Sequence, residues 1–109
     1  MRKLTGSGLF QTPAHGEATD FTQHLVVPDL SIGTYSIPAG GVDDQTPHTE
    51  DEIYVVTAGR ARLVTPDASV DVVAGDVLFV PAGEEHRFVD ITEDLALLVV
   101  FAPAYQSRG

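Results

Sequence analysis

TPHTEDEIYVVTAG, residues 46–59, is the stretch on which the rest of the chain turns. Three consecutive acids, Glu50, Asp51 and Glu52, run directly into the apolar stretch Ile53-Tyr54-Val55-Val56. A carboxylate carried into the interior of a β-strand is costly unless a cation or a set of hydrogen bonds compensates it. Either Glu52 sits at an exposed strand end, or something positive faces it from inside. Alternate residues of a strand share a face, so Thr46, His48, Glu50, Glu52 and Tyr54 have one parity. With a strand beginning near Thr46, His48 and Glu52 point the same way.

Outward from this stretch, turn residues punctuate the chain roughly every ten positions. The motif PAG occurs at residues 38–40 and again at 81–83, with TAG, TPD and VAGD between them. The segments they separate are short and rich in Val, Ile, Leu and Thr: HLVV, LSIGTYSI, EIYVV, ARLV, SVDVV, DVLFV, HRFVDI and LALLVVFA. Evenly spaced short strands predict an all-β sandwich or barrel. A single turn near Glu93-Asp94 is the one place where a helix is considered. LALLVVFA is apolar on both faces, which fits burial between sheets or beneath a second subunit and makes a homodimer the expected assembly.

The chain has 109 residues, 43% of them hydrophobic and 20% charged, which fits one folded domain and not two. The first twenty residues are small, polar and glycine-containing, and are read as an arm, partly ordered or packed on a partner subunit. Residues 21–105 form the barrel domain. The absence of cysteine excludes disulfides and thiolate metal sites. A formal charge of −10 opposes a phosphate backbone, so nucleic acid is not an expected partner. No apolar run suggests a signal peptide or a membrane span, and the protein is read as cytoplasmic.

A second stretch, GDVLFVPAGEEHRFVD at residues 75–90, holds the other chemistry. A strand ends near Pro81, turns through Ala82-Gly83 and resumes near His86, so that His86, Phe88 and Asp90 share a face. Two histidines and a carboxylate meeting inside a barrel make a site for a first-row transition metal, and such a cation would compensate Glu52.

In their order and spacing the two stretches resemble the paired motifs of a small single-domain cupin. Gly40, His48, Glu52 and Gly59 fall on the first motif. Gly75, Pro81, Gly83 and His86 fall on the second, with Asp90 where the family has asparagine. The resemblance implies a double-stranded β-helix, or jelly-roll, barrel holding a divalent transition metal (Fe, Mn, Ni or Zn), with a small-molecule substrate or ligand entering the barrel mouth.

The departure is at Thr46, which occupies the place of the family's first histidine. A threonine hydroxyl is a poor transition-metal ligand, so His48, Glu52 and His86 remain, a two-histidine, one-carboxylate set with open coordination positions. A local bulge could swing the Gln45 amide oxygen into the gap, and Glu50 could supply a second oxygen. Glu50 and Tyr54 are the candidate catalytic groups; Gln45, Thr46 and Arg62 are the candidate substrate contacts. Arg60 and Arg62 share a face and could hold a substrate carboxylate, although pairing with nearby acids on the solvent side is the favoured reading for both. Asp90 is read as a structural polar residue or as a partner that orients a metal ligand, not as a ligand itself, and His15 and His24 as structural or surface residues.

The expected activity is a metal-dependent dioxygenation of a small organic acid or enol, or an isomerase or lyase reaction on such a compound. The alternative is a barrel that binds or senses a small molecule without turnover.

Overall fold

The computed structural model describes residues 1–108. Six strands, β1 (Asp20–Val27), β2 (Leu30–Ile37), β3 (Asp51–Val64), β4 (Ser69–Val73), β5 (Val77–Val80) and β6 (Arg87–Ala102), pair antiparallel throughout. The order is β1-β2-β6-β3-β4, and β5 lies along the first half of β3. This is an all-β jelly roll. Glu93 and Asp94, where a helical turn was considered, lie within β6.

Segments that read as separate short strands are continuous. EIYVV and ARLV form one strand of 14 residues, β3, and HRFVDI and LALLVVFA form one of 16, β6. These two strands bend together. Their register shifts between Val56 and Ala58, between Ala58 and Arg60, and again between Arg60 and Arg62. Each irregularity increases the local bend, and together they turn a flat pair into barrel wall. Gly59 sits at the crossing with φ +95°, and a Cβ there would lie 2.3 Å from the Asp94 carbonyl oxygen. Only glycine lets the two strands approach so closely.

Alternation in these strands sends Tyr54, Val56, Leu63, Phe88, Leu97 and Val99 inward, where they form the core with Ile37, Val80 and Leu95. The opposite face of β2 and β6 is partly roofed by the N-terminal stretch. Gly8 N–H donates to Thr34 Oγ1 at 2.9 Å, Gln11 N–H donates to Ser36 Oγ at 3.0 Å, and the Thr57 hydroxyl donates to Gly8 O. Thr34, Ser36 and Ala96 are fully buried, and these hydrogen bonds tie the arm to its own barrel. Farther along, the outer face stays open: Ile53, Val77 and Phe79 are exposed beside the half-buried Val55, Leu98 and Val100. Among the described residues no helix is long and apolar enough to cross a membrane.

Candidate metal centre

The residues of the first motif reach the barrel interior by two routes. Glu52 and Tyr54 lie on β3 and point inward by alternation, opposite Val80 and Leu78 of β5. His48 lies before β3, in an irregular segment, so strand parity does not place it. Gly83 N–H donates to the His48 carbonyl at 2.7 Å, and Ala82 N–H donates to Asp51 Oδ1 at 2.9 Å. The turn of the second motif is thereby fastened to the first, which brings His86 next to His48.

One potential ligand atom from each of His48, Glu52 and His86 lies within 4.8 Å of the others. Glu52 is 2% exposed, and its Oε1 has no hydrogen-bond partner among the described residues. That oxygen lies 3.1 Å from His86 Nε2 and 4.0 Å from His48 Nε2, yet neither contact has hydrogen-bond geometry. Metal bonds of ~2.1 Å at tetrahedral angles separate neighbouring donors by roughly 3.4 Å. A buried orphan oxygen spaced in this way from two imidazole nitrogens fits a divalent cation, and the three residues could hold one. His86 is also prepared on its far side. Its Nδ1 lies 2.8 Å from the Glu84 carbonyl, an acceptor only, so in the neutral ring Nδ1 carries the hydrogen and Nε2 presents its lone pair to the site.

Around these three lies a polar network. The Tyr54 hydroxyl donates to Gln45 Oε1 at 2.9 Å and sits 3.0 Å from His86 Nε2. Gln45 Oε1 is 3.2 Å from His48 Nε2. Behind Gln45 is Asp43, 2% exposed, whose carboxylate accepts from Tyr35 OH at 2.7 Å, Phe88 N–H at 2.8 Å and Gln45 Nε2 at 2.6 Å. Burial and the Glu52 carboxylate push the Tyr54 hydroxyl well above its ordinary value, so it is a neutral hydrogen-bond donor across the physiological range. Burial lowers the pKa of His48, only partly opposed by Glu52. Burial also pulls His86 down, but the Glu52 side chain and the Glu84 carbonyl outweigh it and hold His86 above its ordinary 6.5.

Of the three ligand residues, His48 and Glu52 border a cavity of about 180 Å³, while His86 lines a groove on its outer side. Gln45, His48, Glu52 and Tyr54 contribute its polar lining; Phe21, Tyr35, Val99, Phe101 and Tyr105 contribute most of the rest, with Thr19 and Asp44. Tyr105 comes from the chain after β6, which folds back so that Tyr105 N–H donates to Ser31 Oγ at 2.8 Å. Its ring centroid is 4.8 Å from that of Phe101 and 5.6 Å from that of His48. No lysine or arginine lines this cavity.

Four sequence-based candidates lie elsewhere. Glu50 is buried, but its carboxylate accepts from Gln106 N–H at 2.9 Å, Arg108 N–H at 3.1 Å and the Thr49 hydroxyl. It anchors the C-terminal tail instead of facing the cavity, because residues 46–50 precede the strand and do not keep its alternation. Thr46 is exposed and borders an outer groove that Gln45 and His86 also line, with Val64, Pro66 and Glu85. Arg62 lies on the solvent face, 3.1 Å from Asp71 and 3.8 Å from Asp90, and Arg60 pairs with Glu93 at 3.1 Å. Asp90 does not share the face of His86 and Phe88: with φ +51° at the bend of β6 it is turned outward to Arg62. Of the remaining histidines, His15 is exposed, and His24 is half-buried with Nε2 2.6 Å from Thr34 Oγ1. The reading of single strands missed Asp43, which lies inside the first motif but at none of its defining positions, and Tyr35 and the mouth aromatics, which come from outside the two motifs.

A family model for the cupin domain matches residues 33–101. An uncharacterized protein of Streptomyces coelicolor, SCO3923, is 43% identical over 83 residues, which cover 76% of this chain and 79% of that one. Among solved structures, an uncharacterized double-stranded β-helix protein of Klebsiella pneumoniae superposes with a TM-score of 0.74 at 20% identity, covering 86% of this chain and 84% of its own. KdgF from a Halomonas species does so with a TM-score of 0.73 at 20% identity, covering 84% and 85%. At such identities the two structures speak for the fold alone. The domain match, which spans more than half of the chain, and the relative at 43% identity go further: the chain belongs to the cupin family.

Proposed function

We propose that this cupin is a metal-dependent enzyme acting on a small enolic or similarly chelating compound, with His48, Glu52 and His86 as the metal ligands. The observation that carries the reading is the orphaned Glu52 Oε1, buried between two imidazole nitrogens. A bound divalent metal supplies Lewis acidity and open positions for a substrate oxygen or for dioxygen. The remaining work falls to the chain. Phe21, Phe101 and Tyr105 hold the apolar part of the substrate and exclude water, while the neutral Tyr54 hydroxyl donates to Gln45 Oε1 and steadies the polar floor of the cavity.

The cavity narrows the substrate. Drug-sized ligands occupy ~300–1,000 Å³, and about 180 Å³ admits something smaller. With Arg62 on the solvent face there is no guanidinium to grip a carboxylate, so an anionic substrate group has only the metal to meet its charge. Dioxygenation of an enol is the reaction this set of ligands favours, with isomerase or lyase chemistry as the related option.

A second reading has an observation in its favour. With Glu50 committed to the tail and Tyr54 held neutral, the carboxylate that lines the cavity besides Glu52 is the exposed Asp44, which suits a binding or sensing barrel. Elemental analysis of protein purified without a metal-affinity tag, beside His86→Ala, tests the metal reading. Near one equivalent of one transition metal in the wild type, and little in the variant, is the expected result. Absence of metal from both, even after reconstitution with Fe(II), Mn(II), Ni(II) and Zn(II), would overturn it. Oxygen uptake by the loaded wild type with a small β-diketone as probe then separates an oxygenase from a binding barrel.

A further inference from the structure

The place left by the family's first histidine is filled from the neighbouring position. We infer that Gln45 supplies its side-chain oxygen as a fourth donor to the metal and that Asp43 is the positioning residue that fixes it there; this rests on the metal reading above.

Orientation comes first. An amide has a donor end and an acceptor end, and a carboxylate oxygen 2.6 Å away tolerates only the donor. Asp43 itself is fixed, because Phe88 N–H and Tyr35 OH hold its two oxygens at 2.8 and 2.7 Å. Its backbone approach is supported as well, with Gln45 N–H 3.3 Å from Asp43 Oδ1. Gln45 Nε2 therefore faces Asp43, and Oε1 is turned toward His48 and Tyr54.

Spacing comes second. Gln45 Oε1 is 3.2 Å from His48 Nε2, comparable to the 3.1 Å between Glu52 Oε1 and His86 Nε2 and near the ~3.4 Å expected of donors around one small cation. Valence permits it once His48 Nε2 gives up its hydrogen to bind the metal: an amide oxygen has two lone pairs, of which the Tyr54 hydroxyl occupies one and the His48 ring, 3.2 Å away, the other. Thr46, which the resemblance sets at the family position, is exposed on the outer groove. The resulting set is two imidazoles, one carboxylate and one neutral amide, and the added ligand leaves the charge of the site unchanged.

Cobalt(II) is a suitable probe because its visible spectrum reports its donors. Wild type, Gln45→Leu and Asp43→Asn are titrated with Co(II) against a competing chelator, with circular dichroism to establish folding. Gln45→Leu is the decisive variant, because its half-buried side chain is replaced by one of similar length. Its affinity is expected to fall at least ~10-fold, with an altered spectrum, and Asp43→Asn to fall ~10–100-fold as an orienting partner does. Zinc(II) added to protein labelled at its four glutamines should move the side-chain carbonyl carbon of Gln45 and leave those of Gln11, Gln23 and Gln106 in place. Co(II) binding in Gln45→Leu with wild-type affinity and spectrum overturns the assignment while leaving the three-residue site intact. Absence of Co(II) binding in the folded wild type overturns both.

Discussion

Glu50→Gln separates two roles for one carboxylate. In the structure Oε1 accepts from Gln106 N–H at 2.9 Å, and Oε2 accepts from Arg108 N–H at 3.1 Å and from the Thr49 hydroxyl. Hydrogen bonds to a charged group contribute ~1.5–3 kcal/mol each, so three would reach ~4.5–9 kcal/mol if every partner stayed buried when the charge was lost. They would not stay buried. Gln106, Ser107 and Arg108 are exposed, so amides released from Glu50 rehydrate, and the glutamine carbonyl still serves one of them. The expected cost is therefore ~1–3 kcal/mol, concentrated in the tail.

A loss of that size is a ~5–150-fold drop in protection at the Gln106 and Arg108 amides. Amide hydrogen exchange of wild type and variant reads it directly, with metal titration of both alongside. Metal affinity should hardly change, since Glu50 faces the tail and not the cavity. Acid adds a second signature. Burial would raise the pKa of Glu50, but the bonds from Thr49, Gln106 and Arg108 outweigh it and hold the group below its ordinary 4.5. Its stabilisation is thus present above pH 4.5 and lost as the pH falls through the lower folded value. The wild-type tail should open on acidification, and the Glu50→Gln tail should have lost that dependence. Unchanged protection at Gln106 together with a fall in metal affinity would place Glu50 at the metal and refute the reasoning.

Metal affinity should rise with pH above 6.5, because His86, held above that value by Glu52 and the Glu84 carbonyl, must lose its proton to bind; isothermal titration at several pH values reads the proton released. In the metal-free protein the sign is opposite: the stabilisation from protonated His86 is complete below 6.5 and disappears as the pH rises through its folded value, measurable as the pH dependence of the urea midpoint. Gly59→Ala places a Cβ 2.3 Å from the Asp94 carbonyl at φ +95° and should cost at least ~3 kcal/mol in denaturant unfolding, whereas a loss under ~1 kcal/mol would mean that β3 and β6 separate easily. For the outer face we propose a second copy of the chain as the partner, since Val77 and Phe79 are 64% and 63% exposed beside Ile53. Phe79→Asp should then halve the mass seen by sedimentation, and a wild type that sediments as a monomer would remove the proposal.

The barrel and the inward placing of Glu52 were legible because they depend on short-range signals, whereas His48, which precedes β3, came from the motif spacing and not from parity. Strand alternation puts Glu52 and Tyr54 inside, and the spacing from Gly75 to His86 measures one strand and one turn. Parity failed wherever the backbone was not extended. It was carried back from β3 to Glu50 and Thr46, but the strand begins at Asp51, so the residues before it turn independently. It was carried forward from His86 to Asp90, but the positive φ at Asp90 rotates that side chain to the solvent. Splitting β3 and β6 into shorter strands has the same origin, since the bends at Gly59 and near Glu93 resemble strand ends in composition.

Asp43 marks a different limit. Nothing in its immediate sequence distinguishes it from Asp44, which borders the cavity and is exposed, whereas Asp43 is buried. The difference is made by Tyr35 on β2 and the Phe88 amide on β6, which supply two of the donors that make burial tolerable. A buried acceptor of this kind is defined by groups brought from eight and 45 positions away, so it becomes visible only when the barrel closes. Once closed, the barrel changes what the neighbouring glutamine can do. A free glutamine turns either end of its amide inward, and only the oxygen can meet a cation; beside Asp43 the oxygen is the end left for the site. The resemblance that sets Thr46 at the family's first histidine therefore does not by itself imply a three-ligand centre, because an amide oxygen one residue away is oriented by the fold.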